Sequence, residues 1–171
     1  MNSIEKTIGI IEKSWSTNPV LVKHNGYENP IPLRCLLNPV SNEYLAKLKS
    51  LSLPPTFKEF RSFTNGAELF KDELYGQWGL KLYNIDELDH ESNYHKNQRT
   101  QDFILGDIIV GEFYGDSDLL LLRADPKSTD FGYIYVVLPL DDRKDWYLVS
   151  RSFEEFLHQF VLHQGNKFWA T

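Results

Sequence analysis

The chain has 171 residues and a formal net charge of -6, with 25% charged, 42% hydrophobic and 14% aromatic residues. That length fits one domain with a sizeable core, and that balance lies far from the signature of disorder. The single cysteine, Cys35, excludes an internal disulfide framework and a multi-cysteine zinc site and fits a reducing compartment; with no secretory leader or apolar span legible, the expected location is cytoplasmic.

The charge is unevenly placed. Residues 1–50 hold six Lys/Arg against four Asp/Glu, whereas residues 101–145 hold ten Asp/Glu against four Lys/Arg. An acidic surface of this kind repels phosphate backbones, which argues against direct nucleic-acid binding, and steers a basic partner toward it. A solvated acidic face that keeps the protein soluble is the plainer alternative.

Along the chain, Ile4, Ile8, Ile11 and Trp15 recur with helical period, so residues 3–15 read as an amphipathic helix capped by Asn2 or Ser3. Residues 16–40 carry Pro19, Pro30, Pro32 and Pro39 together with the turn pair Asn25-Gly26, and read as loops with a small hairpin. Ser41 or Asn42 caps a second helix through Leu45, Leu48 and Leu51. It stops ahead of Leu53-Pro54-Pro55, because a residue before proline is pushed out of helical space. A third helix begins at those prolines, spaces Phe57, Phe60 and Phe63 three apart, and stops at Asn65-Gly66. Trp78, Leu80 and Leu82 then alternate as in a strand, Asn84 opens a short helix through Ile85 and Leu88, and the polar residues 89–101 read as a surface loop or frayed helix.

Strand patterns follow at 104–113, 119–122, 132–137 and 146–149, parted by turn-rich segments such as Tyr114-Gly115-Asp116-Ser117 and Asp125-Pro126-Lys127-Ser128. Ser152 and Glu155 form a capping box for a last helix that sets Phe153, Phe156, Leu157, Phe160 and Val161 on one face and ends at Gly165. Short connections favour antiparallel pairing. The expected fold is therefore α+β: a twisted antiparallel sheet of about four to six strands, helices packed on one side, with N- and C-terminal helices.

No phosphate-binding Gly-x-x-x-x-Gly-Lys-Ser/Thr loop, no Gly-x-Gly-x-x-Gly, no Gly-x-Ser-x-Gly elbow and no His-Glu-x-x-His occurs. His90 and His95, like His158 and His163, stand five residues apart, about 140° around a helix, so neither pair presents two ligands on one face. Asp116-Ser117-Asp118 lacks the glycine and terminal glutamate of a calcium loop. Gly111 and Gly115 read as a bulge and a tight turn that need positive φ, since no lysine and no threonine or serine follows them at the spacing of a phosphate cradle and Asp116 repels an anion. Cys35 reads as an inert buried thiol, and Trp78 and Trp146 as core anchors. The expectation is a non-enzymatic chain without cofactor or metal. A small-molecule or hydrolytic site on Asp107, Asp116 or Asp118 would rest on carboxylates in turns alone.

In their order and spacing these features resemble the SUKH superfamily. The residues that carry the resemblance are Leu53-Pro54-Pro55 with Phe57, Phe60 and Phe63, Asn65-Gly66, Leu82 to Leu88, Gly111 and Gly115-Asp116, Gly132-Tyr133-Ile134-Tyr135, Trp146, and Ser152-Phe153-x-x-Phe156-Leu157. It covers about residues 41–163 of a single domain spanning 1–171 and leaves 16–40 as an addition. The superfamily joins fungal cell-wall (glucan) synthesis regulators to bacterial immunity proteins. The resemblance implies an α+β fold without an active site, and binding of a cognate polymorphic toxin, often a nuclease. The alternative it implies is a regulatory scaffold in cell-wall or envelope assembly. Asn65, Gly66, Gly111, Gly115, Trp146, Ser152 and Phe153 carry over as a structural signature, with no catalytic or metal residues among them. A basic toxin domain is expected to meet the acidic stretch at Glu112, Asp116, Asp118, Asp141 and Asp142, with no direct nucleic-acid or membrane partner. Segments 16–40 and 89–101 are where a rigid scaffold would carry its own specificity.

Overall fold

The computed structural model describes residues 3–24 and 27–170. In chain order these form α1 (Ile4–Ser14), β1 (Val20–Val22), β2 (Ile31–Leu37), α2 (Asn42–Lys49), α3 (Pro55–Phe63), β3 (Ala67–Asp72), β4 (Leu80–Leu82), α4 (Ile85–Asn97), β5 (Asp107–Phe113), β6 (Leu119–Arg123), β7 (Ile134–Val137), β8 (Tyr147–Ser150) and α5 (Phe153–Leu162). The strands make one antiparallel eight-stranded sheet in which every strand lies beside its neighbours in the chain.

The α+β class is as expected, but the sheet is larger than the expected four to six strands. Two strands come from the proline-rich segment 16–40: β1 pairs with the start of β2, where Pro32 stands opposite Leu21 and lends its carbonyl to the Glu73 N–H. The Asn25-Gly26 turn lies outside the described residues, as does Asn2; Ser3 caps α1 by accepting from the Lys6 N–H. β3 was hidden because Phe70 takes a left-handed φ of 54°, which puts two buried residues, Leu69 and Phe70, in succession and breaks the alternation of Ala67, Glu68 and Leu69.

Helices α1, α3 and α5 cover one face. Phe113 stands opposite Leu80 in the sheet and meets Phe160 of α5 at 6.4 Å between ring centroids, while Phe70 meets Phe160 at 5.5 Å and Trp15 at 4.8 Å. Phe153 at the start of α5 packs on Phe57 and Phe60 of α3 at 5.0 and 4.8 Å. The largest apolar side chains of three helices thus converge on the middle of the sheet, where each buried ring contributes much of the burial free energy.

The expectation of helices on one side alone is corrected by α4. Residues in a strand alternate between faces, so Lys81 and Tyr83 point away from the side taken by Leu80 and Leu82. There Lys81 pairs with Glu87 at 3.6 Å, and the Tyr83 hydroxyl lies 3.3 Å from His95 Nε2. Segment 89–101 is therefore helical as far as Asn97, and Ser92 Oγ accepts from the Ile109 N–H, which the bulge in β5 frees from the ladder. Gly111 closes that bulge without a positive φ. It is needed for close approach instead, because a Cβ there would lie 2.4 Å from the Lys81 carbonyl oxygen.

Several boundaries also shift. Leu51 falls beyond α2, Trp78 precedes β4, and Ile104 and Gly132 precede β5 and β7. Phe63 is 39% exposed, and its place in the interior is taken by Arg61, whose Nη1 donates to the Tyr83 carbonyl at 2.5 Å. Gly66 does have φ +88°, but the cap of α3 is the extended Thr64. Ser152 accepts from the Glu155 N–H, whereas the Glu155 carboxylate turns to the Arg151 N–H, so the reciprocal box expected at α5 is incomplete; α4 carries the full one through Asn84 and Glu87.

Truncation of Phe160 to alanine is expected to cost about 3–5 kcal/mol and of Phe63 less than about 1 kcal/mol, as urea unfolding would measure. Equal costs would contradict this packing.

Candidate functional site

The acidic candidates fall into three settings. Asp116 and Asp118 occupy the tight β5–β6 turn, where Gly115 takes φ +96° and Ser117 φ +67°. Asp116 Oδ1 accepts from the Asp118 N–H at 3.0 Å. Lys167, beyond α5, lies 4.7 Å over the Phe113 ring and ion-pairs with both carboxylates, at 2.9 Å to Asp118. Burial raises the pKa of Asp118, with the neighbouring Asp116 charge adding to the effect and Lys167 opposing it. These two acids are already engaged by the protein's own cation, and together they hold the segment after α5 to the sheet.

Glu112 is half-buried on β5, directly across from Lys81. Asp141 and Asp142 are exposed in the connection between β7 and β8, and among the described residues no cation pairs with either carboxylate. The backbone of that connection is firmly held: Arg99 donates to the carbonyls of Leu138 and Asp141, and Trp146 Nε1 donates to Asp141 at 3.0 Å. Trp146 packs on Phe103 at 5.3 Å, with the guanidinium groups of Arg99 and Arg143 over its ring at 5.4 and 5.3 Å.

Behind these loops lies a buried ionic cluster. The Asp107 side chain has no exposed surface; it accepts from Arg123 Nη1 at 2.9 Å, Arg143 Nη1 at 2.6 Å and the Ile104 N–H at 2.8 Å. Arg123 also pairs through Nε with Asp130 at 3.0 Å. Burial works against the Arg123 charge, but hydrogen bonds to Asp107 and Asp130 outweigh it and raise its pKa. Burial likewise pushes Asp130 up, and hydrogen bonds from Ser128 and Arg123 together with the Arg123 charge reverse this and hold it below the usual carboxylate value.

Asp107 therefore has both oxygens occupied by guanidinium groups. It also opens β5 while Asp116 and Asp118 follow its other end, a strand length of roughly 20 Å away. Asp107, Asp116 and Asp118, the carboxylates on which a hydrolytic site would rest, are not brought together. Cys35 is fully buried, accepts from the Phe70 N–H, and has its thiol pushed up to about 12 by burial. No sequence motif marks the ionic cluster, yet the chain carries a trace of it: Asp107 opens one apolar run and Arg123 ends the next, and antiparallel pairing sets them opposite each other.

Residues 39–159 match the SMI1 / KNR4 family (SUKH-1). The chain belongs to that family. It is also similar to the uncharacterized protein YobM of Bacillus subtilis (strain 168), at 25% identity over 122 residues, which is 70% of this chain and 62% of that protein. The match thus spans less than two thirds of that relative's length. The SMI1 / KNR4 stretch begins just after β2 and ends within α5, so α1, β1, β2 and Lys167 all lie outside it. Within it, Asn65 ties the start of α4 to the segment after β2: its Oδ1 accepts from the Ile85 N–H, while its carbonyl accepts from Asn38 Nδ2. No helix among the described residues is long and apolar enough to cross a membrane.

Asp107→Ala leaves two guanidinium groups facing a buried gap, and is expected to cost about 3–5 kcal/mol in denaturant unfolding. Because Asp130 has a lowered pKa when folded, its contribution is complete above the unfolded carboxylate value of about 4 and is lost as pH falls through the lower folded value. The stability gap between wild type and Asp130→Asn is expected to narrow below about pH 4 and to stay constant above about pH 5. A gap that stays constant throughout would contradict the lowered pKa.

Proposed function

We propose that this chain is a non-enzymatic cytoplasmic binding protein that neutralises a cognate toxin domain, of nuclease type, by direct contact. Membership of the SMI1 / KNR4 family carries the reading, since the superfamily includes bacterial immunity proteins. The distribution of charge supports it: ten acidic residues fall within 101–145, and Asp141 and Asp142 stand exposed on a loop whose backbone Arg99 holds. A nuclease must hold a polyanion on a basic surface, so an acidic face on a rigid frame can occupy that surface, with fast and salt-sensitive association.

Affinity capture of the tagged chain from its native cells, with partners identified by mass spectrometry, tests the class of function. Recovery of a toxin domain is expected; recovery of envelope-assembly proteins alone would replace this reading with that of a regulatory scaffold. With the toxin domain in hand, Asp141→Lys/Asp142→Lys is expected to slow association about tenfold at low salt and to flatten its salt dependence. Unchanged association rates would remove these two residues from the interface. Charge reversal at Asp116 and Asp118 is a poorer probe, because it also breaks the contacts to Lys167 and so lowers stability.

A further inference from the structure

Two loop tips beside the Asp107 cluster carry leucines that are almost wholly in solvent: Leu140 is 95% exposed and Leu105 86%, with Ile104 at 51%. A single exposed leucine needs no explanation. Here the exposed side chains stand on backbone that is fixed from within. The Leu105 carbonyl accepts from Arg123 Nη1 at 2.7 Å, and the Ile104 N–H donates to Asp107. The carbonyls of Leu138 and Asp141, on either side of Leu140, both accept from Arg99. Arg99 Nε also holds the Asp102 carboxylate at 3.0 Å, and Arg143 Nη1 joins the Asp102 carbonyl to Asp107. Both tips therefore hang from one guanidinium–carboxylate network, in which Arg99 ties the Asp102 carboxylate to the Leu138 and Asp141 carbonyls.

We propose that these tips form a preformed contact surface for a basic protein partner, in which Leu105 and Leu140 enter apolar pockets of the partner and Asp141 and Asp142 meet its lysines or arginines. This deepens the toxin-binding reading and rests on it only for the partner's identity. Apolar side chains on already ordered backbone lose little conformational freedom on binding, which is what makes an anchor effective. The sign of the partner follows from the exposed charge. Arg143 is engaged by Asp107, which leaves Asp141, Asp142 and Asp145 on the connection against Lys144. A second copy of the chain is disfavoured as occupant, because a twofold contact would set these acids against their own like.

The test is to pan a phage-displayed random peptide library on the 171-residue chain at low salt. Enriched peptides are expected to combine Lys or Arg with large apolar residues, and to lose at least tenfold in affinity for Leu105→Ser/Leu140→Ser. They are also expected to weaken for Asp141→Asn/Asp142→Asn, a variant that leaves the leucines in place. Both leucines lie in solvent, so the serine variant keeps the wild-type melting temperature. Three results would each overturn the proposal: no enrichment, peptides that bind the serine variant as well as wild type, or wild-type self-association in sedimentation velocity that the serine variant abolishes. Panning requires no toxin, so a capture experiment that recovers none leaves this surface standing, and a failed panning leaves the toxin reading to its own test.

Discussion

Asp107 is the carboxylate on which one end of this molecule depends. It is wholly buried, yet remains compatible with folding because Arg123 and Arg143 satisfy it from two different segments and the Ile104 N–H adds a third donor. Removing charge from water is costly, and the cost is offset only where the geometry leaves no lone pair or guanidinium unmatched. That requirement draws the 102–107 segment, the end of β6 and the β7–β8 connection to one point. The loops around it are thus long in sequence but short of freedom.

The same cluster separates two kinds of acidic residue that look alike in composition. Asp107, Asp130 and, at the other end of β5, Asp118 are bound by the protein's own arginines and lysine. Asp141 and Asp142 stay in solvent. A count of charges along the chain merges these groups, although only the second has charge free for a partner. The acidity of 101–145 is partly internal wiring and partly surface.

Much of the architecture was legible in the sequence because its signals are local. Ser41 and Ser152 cap their helices, Pro54-Pro55 opens α3, and Phe153, Phe156 and Phe160 repeat with helical period; each is written within one turn of chain. What escaped depends on partners distant in sequence. Phe70 breaks the alternation of β3 through a left-handed φ, and the 89–101 stretch reads as polar because α4 lays only Leu88 and Ser92 into the interior. The acidic candidates could be named but not sorted, since whether Lys167 or Arg123 reaches a given carboxylate is decided by tertiary packing.

The strictly sequential order of the strands shapes how the molecule assembles. Each pairing joins chain neighbours, so the sheet is built from contacts of modest sequence separation, the condition under which chains fold quickly. The helical layer is different. α1 and α5 touch each other across nearly the whole length of the chain, so their contact joins segments far more distant in sequence than any strand pairing does. A sheet whose strands pair one after another could form before the aromatic face of α5 docks, which would place the docking of Phe156 and Phe160 late. Contacts that form late act chiefly on the rate of unfolding, so a late-docking α5 would serve as a kinetic lock rather than as a nucleus.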